Sequence, residues 1–175
     1  QQGTGFPALI TLVAATNPCP CGWHGDRNHG CRCSISQRQR YWQRLSGPLL
    51  DRLDLQLRLE RRSAREVAEV LNQPSPAEAS ASWCSPERIQ RARQRMKKRN
   101  PAGARNGLLS AAALRQSGAI EKPGLELWEQ LINQRGLSTR SSLQLLRVAR
   151  TIADLNDRIT VDRDAVAEAS CYRCT

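Results

Sequence analysis

The sequence predicts a mainly α-helical protein, in which a small α/β part with two strands precedes an all-α part. Residues 9–16 are almost continuously apolar, which is typical of a strand buried on both faces. Residues 53–60 alternate strictly between leucine and polar side chains, the pattern of an edge strand with one wet face. After residue 62 the pattern becomes helical. We therefore expect two strands separated by a loop and one short helix, followed only by helices.

Capping residues and apolar spacing place the predicted helices. Ser34 or Ser36 should begin a short helix after the first loop, and Ser85 should begin a longer helix that runs to about Arg99. The other helices are predicted over residues 63–72, 108–116, 124–134, 138–156 and 162–172. The clearest apolar stripe belongs to the helix at 138–156 and consists of Leu145, Ala149, Ile152 and Leu155.

The predicted elements divide the chain into three parts. Residues 1–62 form the α/β part, residues 63–84 a connecting helix and linker, and residues 85–175 a helical domain. Two strands without packed partners are only marginally stable, and Gln1 leads almost directly into the first strand. We therefore expect a piece of a longer protein, whose helical part folds and whose N-terminal part is swapped, paired with another chain or loosely ordered.

The chain carries a formal net charge of +11, which favours an acidic polymer as a partner. Residues 88–99 concentrate this charge, with five arginines, two lysines and no acid. On a helix these cations repel one another unless an anion offsets them, and nucleic-acid phosphate would do so. The candidate nucleic-acid contacts, with DNA as the expected partner, are Arg88, Arg91, Arg95 and Lys98. A solvated surface without a ligand is the alternative.

One loop contains two Cys-x-Cys pairs separated by nine residues. The pairs are Cys19 with Cys21 and Cys31 with Cys33. Four thiolates suit a tetrahedral zinc ion, and because they leave no open position for water, the zinc would be structural. His24 or His29 could replace one sulfur, and loop thiols without a metal are the remaining alternative.

The other cysteines indicate no further site. Cys84, Cys171 and Cys174 have no informative partner spacing. Seven cysteines are an odd number, and no hydrophobic signal or membrane-length segment is found in these residues. We therefore expect metal-bound or free thiols in a reducing cytoplasm, without a membrane partner.

Two arginines occur where an anionic ligand would suit them. Arg52 precedes the second predicted strand, and its planar guanidinium could bind a phosphate across an interface. The default interpretation of this arginine is a structural ion pair with a neighbouring aspartate. Arg140 lies in the first turn of its predicted helix, where the macrodipole disfavours a cation. These 175 residues contain no G-x-x-x-x-G-K-[ST] phosphate loop and no recognisable catalytic His/Asp/Ser spacing. By itself the chain is expected to hydrolyse nothing.

Several motifs carry a resemblance to a known family. They are residues 12–22 with Cys31-Arg32-Cys33, residues 41–55 with Leu49-Leu50-Asp51-Arg52-Leu53-Asp54-Leu55, and residues 145–155. Over nearly its whole length the chain resembles the ComM-type, magnesium-chelatase-related AAA+ ATPases. The resemblance implies the end of an AAA+ core followed by a helical lid. It also implies the C-terminal part of a bacterial, ring-forming, ATP-driven DNA motor, linked to branch migration in natural transformation and recombination.

The resemblance further implies roles for three residues. Asn17 matches the sensor-1 asparagine that orients the attacking water, Arg52 matches the arginine finger offered to a neighbouring subunit, and Arg140 matches the sensor-2 arginine. The family's phosphate loop (Walker A) and acidic magnesium-binding strand (Walker B) lie upstream of these motifs. ATP and magnesium are therefore expected only in the full-length protein, which would be a cytoplasmic homo-oligomer, expected to be a hexamer.

Two rival functions stay open from the sequence. One is a stand-alone zinc-bearing DNA-binding module without an ATPase partner. The other is a metal-chelatase motor subunit acting on a tetrapyrrole enzyme complex. The cysteine loop and the positive charge favour DNA over the second rival.

Overall fold

The computed structural model describes four ranges of the chain, residues 10–45, 47–72, 85–117 and 119–173. The chain divides between residues 46 and 47 into two compact units. We call them the cysteine unit (1–46) and the helical unit (47–175). The described secondary structure is mainly α-helical, which confirms that part of the predicted fold class.

The cysteine unit consists of an irregular loop followed by helix α1 (Ile35–Trp42). The hydroxyl of Ser34 accepts a hydrogen bond from the backbone N–H of Gln37, and the Gln37 side chain accepts one from the backbone N–H of Ser34. This capping box confirms the predicted helix start. At the other end of α1, the Trp42 indole donates to the carbonyl of Pro18 at 3.0 Å. The helix is therefore held against the beginning of the loop.

The first predicted strand is not formed in the part that the structure describes. Residues 10–17 have no regular secondary structure, and Ile10 and Val13 are 80% and 88% exposed. A strand needs a neighbour that receives its backbone hydrogen bonds and covers its apolar faces. No described segment pairs with residues 10–17, so the prediction of a strand there is wrong. Residue 9 lies outside the described residues.

The second predicted strand, residues 53–60, is irregular as well, and its prediction is wrong for the same reason. Its exposed leucines are Leu55, Leu57 and Leu59. The backbone N–H of Gln56 donates to the carbonyl of Tyr172 at 2.6 Å, which attaches the segment to the helices. Within the described ranges the β-type pairing is limited to an isolated parallel bridge between Ile120 and Val161.

The helical unit contains seven α-helices among its described residues. They are α2 (Gly47–Leu50), α3 (Ala64–Asn72), α4 (Pro86–Arg99), α5 (Ala111–Ser117), α6 (Lys122–Arg135), α7 (Thr139–Leu155) and α8 (Arg163–Cys171). Ser85, Ser138 and Asp162 cap α4, α7 and α8, where the sequence predicts helices to begin. None of the described helices is both long enough and apolar enough to cross a membrane.

Helix α7 forms the centre of the hydrophobic core. Three residues of its predicted apolar stripe, Leu145, Ala149 and Ile152, are buried, whereas Leu155 is half-buried. The residues that pack with them in the buried cluster are Leu131, Ala153, Val161, Ala165, Val166 and Ala169. Helices α6 and α8 and the loop before α8 therefore cover one side of α7.

A buried charged network joins α4 to α7. The carboxylate of Asp154 is fully buried. It accepts hydrogen bonds from both Nη atoms of Arg99, from Arg150 at 3.0 Å and from the Asn106 amide at 2.8 Å. Burial by itself raises the pKa of Asp154, but the hydrogen bonds from Arg99 and Asn106 and the charge of Arg150 outweigh it and hold the pKa below its usual value. The carboxylate is therefore ionised at neutral pH.

Candidate functional site

The four loop cysteines converge on one point in the cysteine unit. The sulfurs of Cys19, Cys21, Cys31 and Cys33 all lie within 4.8 Å of one another. Cys19 Sγ is 3.3 Å from Cys21 Sγ and 3.7 Å from Cys31 Sγ. In a tetrahedral site with zinc–sulfur bonds of about 2.3 Å, neighbouring sulfurs are about 3.8 Å apart. The cluster therefore has the size and the donor set that one metal ion requires.

The loop backbone shapes this cluster. Gly22 adopts φ +81°, a conformation that glycine tolerates best, and its N–H donates to the carbonyl of Cys19 at 3.0 Å. A hydrogen bond from the Trp23 backbone lowers the pKa of Cys21 to about 6, whereas burial raises the pKa of Cys33 to about 12. Four adjacent thiols cannot all ionise without a cation, and a bound metal ion would keep all four as thiolates.

Neither loop histidine belongs to the cluster of cysteine sulfurs. The ring of His29 stacks on Trp23 with centroids 4.2 Å apart, and its Nδ1 lies 3.4 Å from the carboxylate of Asp26. His24 is exposed. The candidate ligands are therefore four sulfurs, without a histidine.

In the helical unit, Arg52 and Arg140 line the same open groove, which has a volume of about 700 Å³. The other lining residues are Gly47, Pro48, Asp51, Ser138 and Thr139. Arg52 and Arg140 are both exposed, and Arg52 Nη1 donates to the carbonyl of Pro48 at 2.7 Å. The groove lies at the N-terminus of α7, where the helix dipole favours anions. The fold thus brings two predicted phosphate-binding arginines to one anion-favouring surface.

Asp51 connects this groove to the buried side of α7. Its carboxylate accepts hydrogen bonds from the hydroxyls of Ser141 and of Ser138, the latter at 3.2 Å, and lies 3.6 Å from Arg173 Nη2. The Ser141 hydrogen bond is the main reason that the pKa of Asp51 lies below its usual value. The acid therefore pairs with Arg173 instead of with its neighbour Arg52. The sequence does not indicate these partners, because they are distant along the chain.

Three of the four candidate nucleic-acid contacts face the C-terminal end of α7. Arg88 Nε donates to the carbonyl of Leu155 at 2.7 Å. Arg91 and Arg95 lie 3.5 Å and 2.8 Å from the carboxylate of Asp157. The negative end of the α7 dipole and this acid therefore offset the positive charge on one side of α4.

Other cations of α4 are exposed to solvent. They are Arg93, Lys97 and Lys98. Within the described part of the chain none of them forms an ion pair, which distinguishes them from Arg91 and Arg95. Lys98 is therefore the one predicted nucleic-acid contact for which the described part of the chain provides no acidic or carbonyl partner, unlike Arg88, Arg91 and Arg95.

The remaining predicted residues belong to other parts of the chain. Asn17 is exposed in the cysteine unit, in the irregular segment before the cysteine loop. Cys171 is exposed on α8, and Cys84 and Cys174 lie outside the described residues. The structure thus brings Arg52 and Arg140 together and places Asn17 in the other unit.

Comparison with known proteins gives two family matches and several relatives. The family model described as magnesium chelatase, subunit ChlI, matches residues 1–67, and the one described as magnesium chelatase, subunit ChlI C-terminal, matches residues 77–173. Uncharacterized protein YifB of Escherichia coli (strain K12) is 38% identical over 96% of this chain and 31% of its own length. Competence protein ComM of Haemophilus influenzae is 34% identical over the same shares.

A mycobacterial relative matches the chain with similar identity and coverage. Uncharacterized protein Rv2897c of Mycobacterium tuberculosis (strain ATCC 25618 / H37Rv) is 33% identical over 97% of this chain and 32% of its own length. The chain therefore spans about a third of the length of the curated relatives it matches.

These matches define the class of the protein: the chain belongs to the magnesium chelatase ChlI family. Within that family it is a ComM-type, magnesium-chelatase-related chain, because YifB and ComM match nearly its whole length. The resemblance predicted from the sequence motifs is thereby confirmed.

Proposed function

We propose that this chain supplies the sensor 1, arginine finger and sensor 2 residues of a ring-forming, ATP-driven AAA+ DNA motor. The observation that carries the proposal is the groove shared by Arg52 and Arg140. The family membership supports an AAA+ ATPase, and the name of the relative ComM supports a role in competence. Branch migration during DNA uptake and recombination is the activity that fits this combination.

The chemistry of the groove suits a nucleotide polyphosphate. Arg52 offers a planar fork, which can donate to two phosphate oxygens at once. Arg140 lies in the first turn of α7, where a cation is unfavourable alone, so a phosphate beside it would offset that cost. In phosphoryl transfer such cations stabilise the charge that develops in the transition state. ATP hydrolysis by the full-length protein with Arg52→Ala tests this assignment.

The other parts of the proposal concern the assembly. Asn17 would orient the attacking water, and ATP with magnesium would be bound by residues of the full-length protein outside this chain. The motor would be a cytoplasmic homo-oligomer, and we propose a hexamer from the family resemblance. Arg52 would then serve the nucleotide of a neighbouring subunit.

For the cysteine cluster we propose a structural zinc ion. Four thiolates are soft ligands that suit zinc, and they leave no coordination position for a substrate. The loop joins Asn17 to α1, whose cap at Ser34 follows the last cysteine directly. A bound ion would therefore fix the segment that follows the sensor asparagine.

The purified chain should contain about one zinc ion per molecule, because the sulfurs are already gathered to coordination distance. Cys33→Ser should bind far less zinc, since a serine oxygen is a poor substitute for a thiolate. Elemental analysis after dialysis measures both. The matched control is Cys171→Ser, which changes an exposed thiol outside the cluster and should keep the full zinc content. Absence of zinc after supplementation and dialysis, or an unchanged content in Cys33→Ser, would contradict the site.

For DNA we propose that the exposed cations of α4 without an acidic partner in the described residues, Lys98 together with Arg93 and Lys97, contact the phosphate backbone. In this proposal Arg91 and Arg95 mainly hold α4 on α7 through Asp157. Arg88 also holds α4 on α7, because its Nε donates to the carbonyl of Leu155.

The double variant Lys97→Gln with Lys98→Gln should weaken DNA binding and reduce the slope of log affinity against log salt by about two, because each phosphate contact contributes about one. The matched control is Arg91→Gln with Arg95→Gln, which removes the same net charge from the two arginines that are paired with Asp157. It should leave the salt slope nearly unchanged. Binding titrations at a series of salt concentrations measure both slopes. Equal slopes for both variants would show that only overall charge matters.

A second candidate function is a metal-chelatase motor subunit. It is favoured by the magnesium chelatase description of both matching family models. The cysteine cluster and the exposed cations of α4 support the DNA motor over this alternative. DNA-stimulated ATP hydrolysis by the full-length protein separates the two, since a chelatase subunit requires no DNA.

A further inference from the structure

The turn that carries Arg52 is fixed to α7 from its buried side. Asp51, the residue before Arg52, accepts hydrogen bonds from the hydroxyls of Ser138 and Ser141. It also lies 3.6 Å from the guanidinium of Arg173. The backbone of the turn is therefore attached to the helical unit next to the groove.

A second attachment acts on Arg52 itself. Gln144 Nε2 donates to the carbonyl of Arg52 at 3.3 Å. The orientation of this amide is determined by Arg173, whose Nη1 donates to Gln144 Oε1 at 2.8 Å. Because a guanidinium can only donate, Gln144 must turn its oxygen towards Arg173 and its NH₂ towards Arg52. Arg173 therefore orders both attachments, through Asp51 and through Gln144.

Three of these side chains are buried polar groups that do not themselves line the proposed nucleotide groove. Ser141, Gln144 and Arg173 are 4%, 5% and 3% exposed. Arg173 also donates to the hydroxyl of Ser141 at 2.9 Å, and its Nε lacks a partner among the described residues. A buried guanidinium loses solvation that well-packed apolar residues would not lose, so stability alone gives little reason for a charge here. Orientation of the Arg52 turn is a function that an apolar residue could not perform.

We propose that four residues are positioning residues: Asp51, Ser141, Gln144 and Arg173. They hold the turn that carries Arg52 against α7, so that Arg52 and Arg140 can contact the same phosphate. This inference rests on the proposed function of Arg52 as the finger. It adds that Arg52 and Arg140 act as one rigid body. The turn that carries Arg52 is attached to α7, and Arg140 is itself a residue of α7.

The decisive variant is Gln144→Glu in the full-length protein. The carboxylate keeps an acceptor for Arg173 but replaces the donor to the Arg52 carbonyl by an oxygen that repels it. The turn should lose its orientation while the core stays packed. In the folded variant we expect kcat for ATP hydrolysis to fall about 3- to 10-fold, the effect of losing one hydrogen bond, with an unchanged KM for ATP.

Arg173→Lys is the second variant, and it covers the case in which Gln144→Glu fails to fold. It keeps the positive charge near Asp51 but cannot reproduce the fork that serves Gln144 and Ser141 together. It should show the same selective loss of kcat. The control is Arg163→Ala on the exposed side of α8, which should leave both kinetic constants unchanged.

The outcomes separate this inference from the function on which it rests. Retained hydrolysis in Arg52→Ala would remove the finger itself. Loss of hydrolysis in Arg52→Ala, together with an unchanged kcat in folded Gln144→Glu or Arg173→Lys, would overturn the positioning role alone. A change of KM without a change of kcat would also overturn it, because it would indicate an effect on nucleotide binding instead of on the finger.

Discussion

Replacing Arg52 by alanine in the full-length protein should lower the rate of ATP hydrolysis by about 10³- to 10⁵-fold, the effect of a finger arginine supplied to a neighbour's site. The groove keeps its shape in this variant, since the wall formed by Asp51 and Ser138 depends on hydrogen bonds that do not involve the Arg52 side chain. The affinity for ATP should therefore change little. Steady-state hydrolysis and nucleotide titration measure the two quantities separately.

A matched control lies a few residues further along the same segment. Arg58 is exposed like Arg52 but does not line the groove, so Arg58→Ala removes an equal charge without removing a phosphate contact. It should hydrolyse ATP at close to the unsubstituted rate. If Arg52→Ala also retains its rate, Arg52 is not the finger, and the groove needs another explanation. If both variants lose activity, the loss follows from charge and not from position.

The elements predicted correctly from the sequence depend on local interactions. Serines at positions 34, 85 and 138 cap helices because a cap contacts only the next turn. The cysteine cluster is local as well, since its four sulfurs lie within one short loop. A regular pattern over a few neighbouring residues is sufficient for predictions of this kind.

The elements predicted wrongly depend on distant partners. Residues 53–60 have the alternation of a strand, but a strand forms only when another chain segment completes its hydrogen bonds, and none of the described segments does so. The basic helix α4 shows the same limitation. Its sequence contains no acid to offset residues 88–99, yet Asp154 and Asp157 approach it from the end of α7. Ion pairs between helices that are so far apart in the chain produce no periodic pattern in the amino-acid sequence.

Asp154→Asn should destabilise the helical unit by about 3–5 kcal/mol, the cost of leaving a buried charge without its partner. The substitution preserves side-chain shape, so no cavity contributes to the effect. It removes the negative charge that Arg99 and the fully buried Arg150 share. The hydrogen-bonded Asn106 is also affected, because the new amide cannot accept at both positions. Chemical denaturation followed by helical circular dichroism measures the loss.

Asp157→Asn is the matched control, since it also removes an acid that pairs α7 with arginines of α4. The side chain of Asp157 is 45% exposed, whereas that of Asp154 is fully buried. Water therefore screens the pairs with Arg91 and Arg95, and their loss should cost about 0–1 kcal/mol. Asn also tolerates the φ of +60° at this position. Equal destabilisation by the two variants would mean that burial of Asp154 has no energetic consequence, and the network would then not be what fixes α4 to α7.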